Sequence, residues 1–346
     1  MEGAAGSLRF PFEPPVPGRA VEIAEGLLWM RLPAFAKPDH VNVYALDDGD
    51  AWTVVDAGLD DAPTRSAWGA LLIGPLAGRP VRRLIVTHHH PDHVGLAGWF
   101  QAALGAELWI TRTAWLYARM LGLDVQERPA PETTAFWRAA GMAPDILAAR
   151  TESRPVNYAD MIAPLPLGFR RIAEGDEIVA GGRRWRVAIG DGHAPEHATL
   201  WGVGHDLVLA GDQILPGITP NLGVYATEPG ADPVGDWEAS CRRLSGHARS
   251  DQLALPGHGR PFLDPRARLA ALHADSVAAQ DRLLAALGEG PRTAADCFAP
   301  LYRRSIGSAE YGLALAEAMG RLNHAEAIGL IAREPGPDGA WLWRRT

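Results

Sequence analysis

The sequence predicts an α/β fold in which helices cover the outer faces of β-sheets, followed by a smaller, mainly helical C-terminal domain. Three observations predict it. Strand-like and helix-like segments alternate up to about residue 110, a pattern that places helices outside sheets. A run of strands separated by glycine-containing turns follows between 169 and 210. From about 264 the pattern becomes helical almost to the C-terminus. A chain of 346 residues exceeds the usual single-domain size, so the natural division is 1–263 and 264–346.

The elements are justified in order. Residues 21–58 read as strands: Val41–Leu46 turns through Asp47-Asp48-Gly49-Asp50 into Trp52–Val55, a hairpin pattern. A helix is expected near 62–74, a strand over 82–87, a helix over 94–104 and a strand over Glu107–Ile110. Residues 112–167 depart from the alternation. Helical pieces at Ala114–Leu121 and Glu132–Ala140 are mixed with prolines at 129, 131, 144, 155, 164 and 166. An insertion of this length is able to form a lid. Its aromatic residues Trp115, Tyr117 and Trp137 are candidate substrate contacts, and Arg119, Arg128, Arg138, Arg150 and Arg154 give it positive charge.

Strands are then expected at Phe169–Ile172, Glu177–Val179, Arg184–Ile189, Ala198–Val203 and Leu207–Ala210. Residues 213–231 form a loop rich in Pro and Gly, from which Asn221 and Tyr225 are further candidate substrate contacts. In the C-terminal part helices are expected over Asp264–Leu287, 293–302, 309–319 and 321–333, before a terminal Gly339-Ala340-Trp341-Leu342-Trp343 hairpin arm.

Function is concentrated in Thr87-His88-His89-His90-Pro91-Asp92-His93, where the apolar run Leu84-Ile85-Val86 gives way to a helix. Neutral imidazoles and a carboxylate at this spacing suit a borderline-soft divalent ion such as zinc. His88 and His90 can point to one side of extended chain, while Asp92 and His93 point elsewhere, so one loop can serve two adjacent metals.

The chain here resembles the metallo-β-lactamase superfamily, whose His-x-His-x-Asp-His signature is matched by His88, His90, Asp92 and His93. Further motifs follow the family order: Asp56 in Val54-Val55-Asp56-Ala57-Gly58, His193 in Gly192-His193-Ala194-Pro195, Asp212 in Leu209-Ala210-Gly211-Asp212, and His258 in Pro256-Gly257-His258-Gly259. The resemblance implies a four-layer αββα sandwich. It also implies two divalent metal ions: His88, His90 and His193 on the first, Asp92, His93 and His258 on the second, and Asp212 bridging. A hydroxide held between them would be the nucleophile, with Asp92 and Asp212 as the catalytic carboxylates. His90 favours zinc, since the di-iron electron-transfer relatives usually carry a carboxylate there; iron and manganese stay open. His197 and Asp56 are expected to support the ligands by hydrogen bonding rather than bind metal, and His89, which alternates away from its neighbours, is expected behind the ligands or at the rim of the site. The terminal helices and hairpin resemble the winged-helix-like tail of some members.

Composition bounds the partners. A formal charge of −8 and a pI near 5.8 argue against tracking a phosphate backbone. Residues 264–346 hold ten Arg and ten acidic residues, so the tail lacks the basic footprint of a nucleic-acid binder. Cys241 and Cys297 fall in different predicted domains and read as buried small hydrophobes, and a cytoplasmic setting is expected. Met1-Glu2-Gly3-Ala4-Ala5 does not open a secretion signal, and no apolar run is long enough to span a membrane. The expected activity is hydrolysis of an ester-like bond, a thioester or a lactone, in a small acyl substrate, with an anionic carrier suited to the insertion's arginines. Phosphodiester hydrolysis (as in ribonuclease relatives) and β-lactam hydrolysis are the alternatives within the superfamily, and pairing as a homodimer is compatible with it. A degenerate, non-enzymatic metal-binding module is disfavoured by the intact ligand set.

Overall fold

The structure, a computed structural model, describes residues 8–34, 37–336 and 338–346, so the Met1–Ala5 stretch lies outside the described residues. The chain opens with the antiparallel strands β1 (Ala20–Ala24), β2 (Leu27–Pro33), β3 (His40–Asp47) and β4 (Trp52–Val55). Helix α1 (Ala62–Ile73) follows, started by Asp61, whose carboxylate accepts from Thr64 N at 2.7 Å. Then come β5 (Val81–Ile85), the short α2 (Pro91–Val94), α3 (Ala97–Leu104) and β6 (Glu107–Ile110). The insertion contributes α4 (Arg112–Leu123), α5 (Pro131–Ala139) and α6 (Pro144–Glu152) before β7 (Arg170–Arg171) completes a seven-stranded sheet in sequential order, parallel from β4 onward.

A second, six-stranded sheet is built from β8 (Glu177–Ala180), β9 (Arg183–Gly190), β10 (His197–Val203), β11 (Leu207–Gly211), then, after α7 (Pro233–Ser245), β12 (Leu253–Pro256) and β13 (Phe262–Leu263). Only β11 and β12 pair in parallel there. Alternation along the strands decides the layers. Leu27, Trp29, Tyr44 and Leu46 meet Trp185, Val187, Leu200 and Leu255 between the sheets. Met30, Leu32, Val43 and Val54 point the other way, onto Trp68, Leu71 and Phe100 of α1 and α3. Trp201, Val208 and Ala254 cover the opposite outer face together with Trp237, Cys241 and Leu244 of α7. The result is the four-layer αββα sandwich.

The C-terminal part holds α8 (Pro265–Gly288), α9 (Phe298–Tyr302), α10 (Tyr311–Ala327) and an antiparallel hairpin of β14 (Ile331–Pro335) and β15 (Trp341–Arg345). One expectation needs correction. The helices expected at 309–319 and 321–333 are one helix, which ends before Gly329 in a left-handed conformation (φ 76°), and Ile331–Pro335 is a strand because it pairs with β15. Helices α6 and α7 are not expected from the sequence; prolines 144 and 233 stand in their first turns, where a missing N–H costs nothing. Phe136, Ala140 and Met142 of the insertion pack in one core with Leu283, Leu287, Leu315 and Trp343 of the C-terminal part.

Both cysteines are free and buried, and burial pushes each thiol up to about 12, which keeps them inert. Among the described residues no helix is long and apolar enough to cross a membrane.

Candidate metal centre

All the motif residues leave the C-terminal ends of strands: Asp56 follows β4, residues 87–93 follow β5, His193 follows β9, Asp212 follows β11 and His258 follows β12. They meet at one rim of the sandwich. Three overlapping groups have donor atoms within 4.8 Å of one another: His88, His90 and His193; His88, His93 and Asp212; and Asp92, His93 and His258. Asp212 links them, with Oδ1 3.5 Å from His93 Nε2 and Oδ2 3.6 Å from His193 Nε2 and 3.2 Å from His258 Nε2.

Each imidazole is turned by a partner behind it. His88 Nδ1 lies 3.0 Å from Thr87 Oγ1, His93 Nδ1 lies 2.8 Å from Asp56 Oδ2, His193 Nδ1 lies 3.0 Å from the Asn221 carbonyl, and His258 Nδ1 lies 2.7 Å from the His40 carbonyl. Asp56 also accepts from Thr87 N at 2.8 Å and Thr87 Oγ1 at 2.9 Å. Each of these contacts engages Nδ1 and so turns Nε2 of the ring toward the cluster. His90 presents Nδ1 instead, 3.0 Å from His88 Nε2.

The donor set fits divalent metal ions. Nε2 of His93 and of His193 and Oδ1 of Asp212 are buried without a hydrogen-bond partner among the described residues, an expensive condition for three polar atoms facing one space. Burial, reinforced by neighbouring imidazoles, holds His88 and His90 well below the usual histidine value, so both are neutral and ready to coordinate. The opposite side demands positive charge. Burial alone would lower His93 and His258, yet Asp212 and Asp92 overcome it, raising His93 well above its usual value and His258 up to about 10. A bound cation answers the same demand.

The remaining expected residues divide. His197 accepts from Asp212 N at 3.0 Å through Nε2 and stacks on His88, so its lone pair is used in holding the carboxylate's main chain. His89 lies outside the three groups, its ring 5.3 Å from that of Tyr117, and burial lowers it to about 3. Trp137 and Tyr225 line a groove of about 560 Å³ between the insertion and α10. Trp115 does not: it stacks on Phe169, donates to the Pro166 carbonyl at 3.3 Å and packs on the main core, because it lies on the inward face of α4. Asn221 acts through its main-chain carbonyl, while its side-chain amide turns to the Leu313 carbonyl at 3.4 Å, away from the donors. The insertion's arginines are largely occupied: Arg128 pairs with Glu152, Arg154 with Asp160, and Arg119 donates to the Leu165 carbonyl. Arg150 instead lies over the rings of Trp137 and Tyr311.

Several residues of this centre carry no sequence motif. His40 orients His258 and accepts from Gly259 N at 3.0 Å; Asn42 and Tyr44 both donate to the Pro256 carbonyl at 2.8 Å and so hold the His258 loop. Arg268 of α8, 3% exposed, donates to the carbonyls of Leu215 and Ile218 just beyond Asp212.

The comparisons agree with this geometry. A family model described as the metallo-beta-lactamase superfamily matches residues 36–277, and one described as a metallo-beta-lactamase-like C-terminal domain matches residues 280–346. A beta-lactamase domain protein from Burkholderia ambifaria superposes with a TM-score of 0.88 at 32% identity, covering 98% of this chain and 97% of that one. A metallo-beta-lactamase family protein from Thermus thermophilus superposes with a TM-score of 0.77 at 27% identity, covering 94% and 100%. In sequence the chain is 25% identical over 307 residues to a probable metallo-hydrolase of Bacillus subtilis (strain 168), 88% of this chain and 93% of that protein. With the family model extending across both sheets and every motif that meets at their rim, the chain belongs to the metallo-β-lactamase superfamily.

Proposed function

We propose that the protein is a hydrolase of an ester-like bond, a thioester or a lactone, working with two divalent metal ions, zinc by the nitrogen-rich donor set. His88, His90 and His193 would hold one ion, Asp92, His93 and His258 the other, with Asp212 shared. The observation that carries the reading is the convergence of these donors on one space, with Nε2 of His93 and His193 and Oδ1 of Asp212 unpartnered among the described residues. When bound, such ions supply Lewis acidity and lower the pKa of water to near neutrality.

The chain's own groups supply the rest. Asp92 Oδ2 lies 3.2 Å from His258 Nε2, and its side chain is 26% exposed, so it can take a proton from the attacking water and return it to the leaving group. Burial pushes the Asp92 carboxyl up, but His93 and His258 bring it below the usual carboxylate value, which keeps it ionised as a base. Phe136, Trp137 and Leu315 give the groove between the insertion and α10 apolar walls suited to an acyl chain. The uncharged balance of the tail supports an acyl substrate over a polynucleotide.

The test is metal stoichiometry on protein purified without a metal-binding tag, alongside hydrolysis of acyl-CoA, acyl-glutathione, an acyl-lactone and RNA by the wild type and Asp212→Ala. Two metals per chain and thioester or lactone turnover lost in the variant are expected. Cleavage of RNA alone would replace the ester reading with phosphodiester hydrolysis. Fewer than one metal per chain would sink the dinuclear assignment.

A further inference from the structure

Glu196 holds a backbone conformation that its side chain does not favour. Its φ is 49°, in the left-handed region where glycine and asparagine are the usual residues. Such strain persists only where the surrounding structure holds it, and it gathers at functional sites. Glu196 closes the loop that carries His193: its N–H donates to Asp191 Oδ1 at 2.9 Å. Asp191 is in turn fixed to α7, where its own N–H donates to Ser240 Oγ at 2.8 Å. Gly192 leaves the loop no slack, since a methyl group there would come within 2.3 Å of Trp237 Cβ. His193 itself has one hydrogen-bond partner among the described residues, the Asn221 carbonyl, so its direction otherwise depends on this loop.

The same residue reaches the insertion. Helix α4 starts with Thr111 in the capping position, yet the threonine hydroxyl makes no cap bond to its own helix. It donates instead to the Glu196 carbonyl at 2.8 Å, while Glu196 Oε2 accepts from Thr113 N at 2.7 Å. The helix start and the His193 loop thus exchange hydrogen bonds reciprocally, in the manner of a capping box, across 85 positions of sequence. A carboxylate there satisfies an N–H that the helix leaves free and meets the positive end of its dipole. A local cap by the Thr111 hydroxyl would serve α4 as well. What the long-range cap adds is a connection between the insertion and a metal ligand.

We propose that Glu196 is a positioning residue that couples the insertion to the metal centre. It holds the His193 loop against the first turn of α4, so metal binding at His193 and order at the start of the insertion reinforce each other. This rests on the two-metal reading above, in which His193 is a ligand. Glu196 itself lies outside the three donor groups and acts through His193. The left-handed strain at 196 is the cost of carrying a capping carboxylate at a position where glycine would sit without strain.

Two variants test the coupling. Glu196→Gly relieves the strain and removes the cap, whereas Glu196→Gln keeps an oxygen acceptor for Thr113. Zinc affinity by competition with a chelator, Tm, and hydrogen exchange of residues 111–117 are measured on the full chain, the last two with and without zinc. In the wild type, zinc is expected to slow exchange of this segment by about threefold or more. In Glu196→Gly the Tm should stay close to the wild-type value, zinc affinity should fall about tenfold, and exchange should no longer respond to zinc. Glu196→Gln should restore most of the affinity and of the exchange response. Wild-type zinc affinity in Glu196→Gly, or an exchange response to zinc that the glycine variant retains, would overturn the coupling while leaving the two-metal reading intact. A large loss of Tm in that variant would make the residue structural and overturn the proposal too, as would a glutamine variant no better than glycine. A wild type that binds no zinc would overturn both readings.

Discussion

Gly257 and Asp212 are in contact across the ends of β12 and β11: a methyl group at 257 would overlap Asp212 Oδ1 and come within 2.7 Å of His93 Cε1. Gly257 is also fixed in place, since its N–H donates to the Gly211 carbonyl at 2.8 Å and its carbonyl accepts from Asn42 N at 2.7 Å. Gly257 cannot retreat without breaking one of these main-chain hydrogen bonds, so the Asp212 carboxylate has to give way. Gly257→Ala is therefore expected to displace the shared carboxylate, leaving a folded protein with a circular dichroism spectrum like the wild type. Metal analysis should show the second equivalent lost or weakened by ~10–100-fold, and turnover should fall at least as far. Two tightly held metals in the alanine variant would refute the bridging role of Asp212.

Asp56 offers a gentler perturbation. It adopts a left-handed conformation (φ 62°) that Asn tolerates, so Asp56→Asn leaves the backbone unstrained. What changes is the acceptor for His93 Nδ1 and for Thr87. Losing the carboxylate's pull on His93 is expected to weaken metal binding by about 10–100-fold with little change in fold. A competition titration with a chelator measures this directly. An unaltered affinity would mean that Asp56 only supports the strand end.

The parts of this centre that were legible in the sequence are those where chemistry dictates residue type and spacing. His88, His90, Asp92 and His93 fall within six residues, a spacing that sends two ligands to each side and so can serve two metals from one short segment. The layers were legible for the same kind of reason, since alternation on β2 and β3 separates the inter-sheet face from the helix face. Residues that act across the fold left no local trace. His40 reaches His258 over 218 positions, and Arg268 reaches Leu215 over 53. Nothing in the neighbourhood of either distinguishes it from an ordinary strand start or helix residue. The tail's involvement was hidden similarly, because Trp137 reads as a lid aromatic until its packing against the cluster that holds Leu315 and Trp343 places it beside a second core.

The tail braces the loops on either side of the metal ligands. Arg268 on α8 supports the loop after Asp212, and Val224 N donates to the Ala316 carbonyl of α10 at 3.0 Å, three residues from the Asn221 carbonyl that orients His193. Arg268→Ala would leave the buried Leu215 carbonyl and the partly buried Ile218 carbonyl without their donor, and is expected to cost about 1–3 kcal/mol of stability. Denaturant unfolding reads the stability, and metal affinity should fall with it because the loop carries the bridging ligand's neighbours. Removal of residues 264–346 should go further, exposing Phe136, Leu222 and Trp237 among others, and yield an aggregating rather than an active fragment. A soluble, metal-loaded 1–263 fragment would show that the tail is dispensable.

His324 on α10 and Asp232 at the start of α7 give the tail a pH-sensitive attachment. His324 Nδ1 lies 3.1 Å from the Asp232 carboxylate, which also caps α7 by accepting from Gly235 N at 2.9 Å. The bond to Asp232, partly opposed by burial, raises His324 above its usual value. Because the folded pKa is the higher one, the pair's contribution is complete below the unfolded histidine value of about 6.5 and disappears as pH rises through the folded value. Asp232 is held below the usual carboxylate value, as His324 and the Gly235 N–H overcome the effect of its burial, so it stays ionised across that window. Both groups are partly solvated, which limits the pair to about 1 kcal/mol or less. His324→Gln should therefore lower the denaturation midpoint at pH 6 and leave it nearly unchanged at pH 9. Equal losses at both pH values would mean that packing on α10, not the ion pair, is what the histidine contributes.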